Sequence, residues 1–201
     1  MRRRLVLLAG LLSLAGCAGL PPAETGVADP AAAWQARRAA LGNLDHFRLS
    51  GRLSIVRGVE SWFIRVEWRQ RGRDWLMVLS GPFGSGLRLT GSEGGPVVLE
   101  TSEGRFEADS AEQLLYRHTG VLMPVSGLRY WMLGLPDPRL AVAASEFDGR
   151  GRLSTLRQAD WRIRLRRYTQ VNGLELPDKI FADQGDLKVR LVVDEWQLGL
   201  G

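Results

Sequence analysis

The chain has 201 residues and a formal net charge of +5, from 27 Lys and Arg against 22 Asp and Glu. Three of the arginines and none of the acids lie within the first 16 residues, so subtracting 3 from 5 leaves a charge of +2 for residues 17–201. This small excess is interleaved with acidic residues, which excludes a nucleic-acid-binding protein, because such proteins need a concentrated basic surface.

Residue types that perform catalysis or bind metals are few in this chain. There are two histidines, His46 and His118, and one cysteine, and they form no metal-ligand motif. Neither lysine follows a glycine, so there is no Walker A motif for a nucleotide, and no G-x-S-x-G sequence places a nucleophile at a turn. We therefore expect no enzyme activity and no cofactor; a pair of carboxylates assembled only by the fold is the alternative that remains.

The N-terminus has the pattern of a secretory signal peptide. Arginines at positions 2–4 precede an apolar run from Leu5 to Ala15, which at about eleven residues is too short to span a bilayer. The run ends in Leu14-Ala15-Gly16-Cys17, which resembles a lipobox, the sequence in which bacterial lipoproteins are cleaved and lipidated at the cysteine. The alternative is a plain signal peptide followed by an incidental cysteine.

These features divide the chain into three parts. Residues 1–16 are the predicted signal peptide, residues 17–30 are the lipidated Cys17 and a flexible tether, and residues 31–201 form a single domain. Cys17 is the only cysteine, so the chain has no internal disulfide. Lipoproteins retained in the inner membrane commonly have an aspartate after the lipidated cysteine, whereas this chain has Ala18, which predicts an outer-membrane anchor.

The first predicted element of the domain is a short helix. Asp29 is placed as its N-cap, Pro30 as its first residue and Gly42 as its stop. Trp34 and Leu41, seven residues apart, would share one face of this helix.

From Phe47 onward apolar and polar residues alternate with a period of two, which predicts antiparallel strands with one buried face. The pattern continues in short runs to residue 108 and returns in residues 161–166 and 188–193, with Trp196 close behind. Between the two regions the sequence predicts a helix from a capping box at Ser110 and Gln113 to Gly120, and another from a Ser126 cap to Gly134. We expect one domain, mainly β, with a few short helices.

The apolar face of these strands carries an unusual number of large side chains. They are Trp62, Trp68, Trp75, Met77, Trp161 and Trp196. A closed core between two layers is the simpler interpretation of such a face. A curved sheet that lines a cavity for an apolar ligand, covered by the short helices, has the same alternation, so the pattern leaves both interpretations open.

One turn has an unexpected residue at its tip. The stretch LSGPFGSGLRL (79–89) has the pattern of strand, tight turn and strand, with Phe83 between Pro82 and Gly84. Turns normally select small or polar residues at such positions. By itself, the pattern is compatible with a ring that folds back onto the sheet beside Leu87.

Six stretches, in order along the chain, resemble one known family. They are FRLSGRLSI (47–55), VEWRQRGRDWLMVLSGPFGSGLRLTG (66–91), LMPVSGLRYWMLGLPDP (122–138), QADWRIRLRRY (158–168), LPDKI (176–180) and LVVDEW (191–196). Together with the lipobox, these stretches resemble the LolB family, whose members are lipid-anchored outer-membrane receptors for lipoproteins. The resemblance covers the chain from Trp34 to Trp196, and the stretch 122–138 is its most specific part.

The resemblance implies a LolA/LolB-like fold, which is an incomplete antiparallel β-barrel, or half-shell, with short helices covering an apolar cavity. In such a fold the large apolar side chains would line a cavity for acyl chains. The cavity residues expected on this basis are Trp62, Ile64, Val66, Trp68, Trp75, Met77, Leu79, Leu87, Trp131, Trp161, Leu191 and Trp196.

The resemblance also implies a function. The protein would be anchored in the outer membrane by Cys17 and face the periplasm of a Gram-negative bacterium. It would accept lipoproteins from a LolA-like periplasmic carrier and insert them into the inner leaflet of the outer membrane, as a monomer and without nucleotide. Pro82, Phe83 and Gly84 would form a membrane-contact loop, where the family residue at the position of Phe83 is leucine.

Two other classes of protein are compatible with the same sequence. A lipid-anchored structural or assembly protein of the envelope would share the lipobox and tether but need no cavity. A general periplasmic lipid-binding protein would have the cavity but not interact with the carrier.

Overall fold

The computed structural model describes residues 26–81 and 84–199. The predicted signal peptide, Cys17, most of the tether, and Pro82 and Phe83 lie outside the described residues. In chain order the elements are α1 Pro30–Gly42, β1 His46–Arg57, β2 Glu60–Arg71, β3 Asp74–Gly81, β4 Gly84–Ser92, β5 Val97–Thr101, β6 Gly104–Ala108, α2 Ala111–Thr119, α3 Val125–Trp131, β7 Val142–Phe147, β8 Leu153–Gln158, β9 Trp161–Val171, β10 Leu174–Gln184 and β11 Leu187–Leu198.

The strands form one antiparallel sheet in the order β6-β5-β4-β3-β2-β1-β11-β10-β9-β8-β7. The first and last strands of the chain, β1 and β11, therefore pair at the centre, and hairpins extend the sheet in both directions. The two edge strands, β6 and β7, do not pair with each other, so the sheet stays open. This confirms the predicted fold class, which is mainly β, with an incomplete antiparallel barrel and short helices.

One face of the sheet, which we call the inner face, carries the apolar side chains and packs against α2 and α3. In β2, Ile64, Val66 and Trp68 are buried while the alternate residues Phe63 and Arg65 are exposed, as the period of two predicts. Leucines of α2 and apolar residues of α3 complete the same buried cluster. The opposite face, which we call the outer face, is open to solvent along most of β2 and half-buried along β1, except at Arg52.

A β-bulge at the centre of the sheet changes which residues of β11 reach the inner face. Ser50 pairs with Glu195 and Gly51 with Val193, so Asp194 has no partner in the ladder. The extra residue moves the alternation by one, and Trp196 joins Val193 on the inner face. Gly51 is required here because an added Cβ would lie 2.5 Å from the Val192 carbonyl oxygen.

The first two helices begin where the sequence predicts. The Asp29 carboxylate accepts hydrogen bonds of 3.0 Å from the N–H groups of Ala31 and Ala32, and Pro30 is the first residue of α1. The Ser110 hydroxyl caps α2 by accepting from the Gln113 N–H at 3.3 Å, and α2 ends at Gly120 in the left-handed conformation.

The third helix differs from its prediction. It runs from Val125 to Trp131 and follows Pro124, so Ser126 lies inside the helix and Gly134 beyond it. Instead, the Ser126 N–H at the start of the helix donates to the Glu112 carboxylate of α2 at 2.8 Å. The start of α3 is therefore fixed by the preceding helix and not by a local capping residue.

Helix α1 packs against the strand ends on the β7 side of the sheet. Trp34 contacts Phe147 with ring centroids 4.8 Å apart, and Arg37 forms an ion pair with Glu175. The turn between β7 and β8 fits closely under the helix, because a Cβ on Gly151 would lie 2.6 Å from the Pro30 carbonyl oxygen. The N–H of Val27 donates to Gly149 O at 2.8 Å, which fixes the point where the predicted tether meets the domain.

The two edge strands of the sheet are protected differently. Helix α2 lies over β6, where the rings of His118 and Phe106 are 4.1 Å apart. All six residues of β7 are exposed. Its pairing with β8 is irregular at both ends, with register shifts between Val142 and Ala144 and between Glu146 and Phe147.

Candidate functional site

The inner face brings the sequence-predicted cavity residues together. Eleven of the twelve lie on strands, and Trp131 lies on α3, which covers them. Cross-strand pairs join Leu53 to both Ile64 and Leu191, so residues from β1, β2 and β11 form one continuous apolar surface. Trp68 and Met77 extend this surface across β2 and β3.

In this structure the helices fill the space in front of that surface. Nine of the predicted residues are at most 8% exposed: Ile64, Val66, Trp68, Met77, Leu79, Leu87, Trp131, Trp161 and Leu191. Trp62, Trp75 and Trp196 are half-buried. The structure thus has the closed arrangement, in which α2 and α3 occupy the apolar face.

A cavity of about 450 Å³ opens beside the covered surface, between the β4–β5 turn and the starts of α2 and α3. Its apolar lining includes Trp68 and Trp75, whose rings stack with centroids 5.2 Å apart and an angle of 13° between their planes. The Trp68 indole N–H donates to Gln70 Oε1 at 3.2 Å, and Gln70 is itself buried. Two of the predicted cavity residues therefore line a space that already exists.

A second cavity, of about 500 Å³, also borders α3. Trp131 of the helix and Trp161 of β9 line it, with their ring centroids 5.8 Å apart. Residues of α3 therefore border both cavities.

A buried glutamine that the sequence analysis missed holds α3 in place. Gln158 is 1% exposed, and its amide oxygen accepts from the Trp131 indole N–H at 3.1 Å and from the Asp137 N–H at 2.9 Å. Its amide nitrogen donates to the carbonyls of Asp137 at 2.7 Å and Leu140 at 2.9 Å. Every hydrogen-bonding group of this side chain is used, and all its bonds go to α3 or to the segment after it.

Charged groups at the cavity mouth provide a second attachment for α3. The Tyr130 hydroxyl donates to Glu93 at 3.1 Å, and Arg129 approaches the same carboxylate at 3.7 Å. Burial raises the pKa of Tyr130 above its ordinary value. Arg139 pairs with the buried Asp137, and the hydrogen bond to Asp137 raises the pKa of Arg139.

The predicted membrane-contact loop is described only at its margins. Gly81 ends β3 and pairs with Gly84 at the start of β4. Pro82 and Phe83, the two residues between them, lie outside the described residues, and so does Cys17. The roles of these residues stay predictions.

The described residues offer little for metal binding or membrane crossing. No cluster of three or more His, Cys, Asp and Glu side chains that could hold a metal occurs in ranges 26–81 and 84–199. Within the same ranges, none of the helices has the length and apolar character needed to cross a bilayer.

Comparisons with known proteins agree with this arrangement. A family model described as Outer membrane lipoprotein LolB matches residues 45–196. An outer-membrane lipoprotein LolB from Nitrosococcus oceani is 41% identical over 195 residues, which cover 96% of each chain. A protein of the same name from Pseudomonas putida is 39% identical over 187 residues, which cover 92% of this chain and 90% of the relative.

A solved structure shares the fold at a much lower sequence similarity. A LolA superfamily protein from Nitrosomonas europaea superposes with a TM-score of 0.54 at 8% identity, and the match covers 82% of this chain and 93% of the other. The open sheet with its short helices is thus an architecture that also occurs in the LolA superfamily.

Proposed function

The chain belongs to the LolB family of outer-membrane lipoproteins, and from this we propose that it receives lipoproteins from a periplasmic carrier and inserts them into the outer membrane. Besides the family, one observation supports the proposal. A continuous apolar face, which carries eleven of the twelve predicted cavity residues, is covered mainly by the short helices α2 and α3.

The physical task explains why such a face is useful. Each buried methylene contributes about 0.8 kcal/mol, so a sixteen-carbon acyl chain exposed to water costs roughly 12 kcal/mol. A receptor must therefore offer an apolar surface at the moment the carrier releases the chains. An affinity only about 1.4 kcal/mol higher than that of the carrier gives a tenfold bias, so direction needs no nucleotide.

We propose that acyl chains enter beside Trp68 and Trp75 and displace α3 from the inner face. The cavity of about 450 Å³ at this point is open to the surface and is bordered by the start of α3. As α3 moves, Trp131 leaves Gln158, and the apolar residues beneath it become available to the chains. The protein acts by binding alone in this scheme, without catalysis or cofactor.

The location and partners follow from the same proposal. Cys17 carries the lipid anchor in the outer membrane, and the domain faces the periplasm, where it meets a LolA-like carrier. The nine residues from Ala18 to Gly26 extend at most roughly 30 Å, so the domain works close to the membrane surface. We propose that it acts as a monomer.

A transfer assay tests the receptor function. A LolA-like carrier loaded with a labelled outer-membrane lipoprotein is mixed with the mature chain carrying Cys17→Ser, and the label is followed by separation of the two proteins. We expect most of the label to move to this protein without nucleotide. A label that stays on the carrier, while circular dichroism shows a folded acceptor, would contradict the proposal and favour a structural role in the envelope.

The membrane-contact loop makes a separate prediction. Phe83→Glu places a charge where the proposal requires an apolar side chain in lipid, so the variant should accept cargo from the carrier yet release it to vesicles at least tenfold more slowly. Phe83→Leu, which restores the residue typical of the family, should behave like the parent. A Phe83→Glu protein that fails to fold would instead mean that the ring belongs to the core.

A further inference from the structure

The outer face of the sheet carries a depression that the proposed transfer of acyl chains does not use. It has a volume of about 630 Å³ and lies over β1, β2 and β11, beside the end of β3. Arg52, Arg65 and Arg190 border it, together with the apolar residues Phe63 and Val192, and no carboxylate of the described residues lines it. The site therefore combines positive charge with an apolar surface.

The strand register places two of these arginines unfavourably close. Arg52 on β1 lies directly opposite Arg65 on β2, and like charges in such a pair repel. Arg52 is neutralised by Asp194, whose carboxylate lies 2.8 Å from its guanidinium. Arg65 is exposed, and none of the described residues forms an ion pair with it. An anion held between Arg65 and Arg190 would relieve this local excess of positive charge.

Phe63 makes the site amphipathic. Its side chain is 72% exposed on the outer face of β2, opposite Ser54, which in turn lies opposite Arg190. Val59, in the turn between β1 and β2, is fully exposed at the same end of the sheet. Aromatic and aliphatic side chains next to arginines are typical of surfaces that lie in the headgroup region of a bilayer.

This surface extends to the end of β3, the strand that precedes the proposed membrane-contact loop in the sequence. Gly81, the last residue of β3, lines the depression and leads directly into Pro82 and Phe83. A Cβ on Gly81 would lie 3.0 Å from the Phe63 carbonyl oxygen, so the hairpin end and Phe63 are neighbours. If the loop contacts lipid, the arginines and Phe63 lie within reach of the same bilayer.

We propose that this surface, with Arg65 and Arg190 as its cations and Phe63 beside them, binds the phosphate groups of membrane phospholipids and orients the domain for cargo release. The inference rests on the proposed function for its biological purpose but not for the binding itself. The chemistry is that of a phosphate anion held by guanidinium groups, with the Phe63 ring inserted among the headgroups.

Vesicle binding tests the proposal. The mature chain carrying Cys17→Ser is sedimented with vesicles of phosphatidylcholine, with or without one third phosphatidylglycerol. Arg65→Glu with Arg190→Glu should reduce binding to the anionic vesicles at least tenfold, because each cation near an anionic surface contributes appreciably to binding. The control pair Arg38→Glu with Arg105→Glu makes the same charge change at exposed positions elsewhere, and it should bind like the parent.

Two further measurements distinguish lipid phosphate from free phosphate and test the role of the aromatic side chain. Inorganic phosphate at 10-fold excess over lipid phosphate should compete only weakly; full competition would mean a free-phosphate site and overturn the membrane role. Phe63→Ser should weaken binding to both kinds of vesicle. The proposal would be overturned if the parent and the Arg65→Glu, Arg190→Glu protein bound the anionic vesicles equally well. Thermal unfolding curves would show that both proteins are folded.

The transfer assay distinguishes this inference from the proposed function. The Arg65→Glu, Arg190→Glu protein should still take cargo from the carrier, since the outer face does not contact acyl chains. If it loses uptake but keeps vesicle binding, the surface docks a protein and the membrane proposal is wrong. If the parent itself takes no cargo, the receptor function fails, while the vesicle result still decides the lipid site.

Discussion

Gln158→Leu is expected to lower the free energy of unfolding by about 4 kcal/mol, because it leaves four groups, three of them buried, without their hydrogen-bond partner. These groups are the Trp131 indole N–H, the Asp137 N–H and carbonyl, and the Leu140 carbonyl. Leucine has nearly the same volume as glutamine, so the loss would come from the missing bonds and not from a cavity. Urea denaturation, followed by circular dichroism, measures the change.

The same variant should also loosen α3, which gives the prediction a second readout. An apolar fluorescent dye should bind more strongly to Gln158→Leu than to the parent under native conditions, since the apolar face would be uncovered more often. Gln170→Leu is the matched control, because Gln170 is an exposed residue of β9. Equal effects of the two substitutions on stability would contradict the assignment of Gln158 as the attachment of α3.

Gly51→Ala should cost about 3 kcal/mol, although it adds only one methyl group. The added carbon would lie 2.5 Å from the Val192 carbonyl oxygen, and that oxygen belongs to the backbone of the neighbouring central strand. The contact can be relieved only if β1 and β11 separate or the bulge at Asp194 is lost. A change of this size is measurable as a lower urea midpoint with an unchanged slope.

Gly42→Ala provides the control for this prediction. Gly42 is the last residue of α1, and an added Cβ there would meet no other atom within 4 Å. Alanine is the better helix former, so this substitution should leave stability unchanged or raise it by up to about 1 kcal/mol. A Gly51→Ala protein as stable as Gly42→Ala would mean that the two central strands can move apart without cost.

Much of the fold could be predicted because the central strands alternate so regularly. Met77 and Leu79 of β3, like Ile163 and Leu165 of β9, are buried on the face that their spacing indicates. The strands β7, β8 and β10 were not predicted. All of β7 is exposed and therefore has no apolar face to detect, and β10 contains Pro177, which normally argues against a strand inside a sheet.

The residues of one turn explain part of why β8 was not predicted from the sequence. β8 and β9 are joined at Ala159 and Asp160, both of which have positive φ angles without a glycine. The usual sequence signal for such a two-residue turn is Asn-Gly or Asp-Gly, and Asn172-Gly173 between β9 and β10 has it. The β8–β9 hairpin therefore has no turn signal in the sequence, whereas the β9–β10 hairpin has one.

The candidate site shows the same division between what spacing can and cannot reveal. Period-two spacing identified the apolar wall, but it could not show that α3 rests on it in the closed arrangement. Gln158 looks like any polar residue at a strand end, and only the tertiary structure brings Trp131 and Asp137 to its amide group. Ser126 was predicted as a helix cap from its local sequence, whereas the carboxylate that accepts from the start of α3 belongs to Glu112, 14 residues away.

The irregular pairing of β7 has a consequence for self-association. An exposed edge strand is a template on which a second chain can add its own strand, which is a route to aggregation. The register shifts near both ends of β7 leave only a short regular stretch, which disfavours a continuous ladder with another copy. We expect this edge to keep the chain from polymerising when α3 moves away and the apolar face is briefly uncovered.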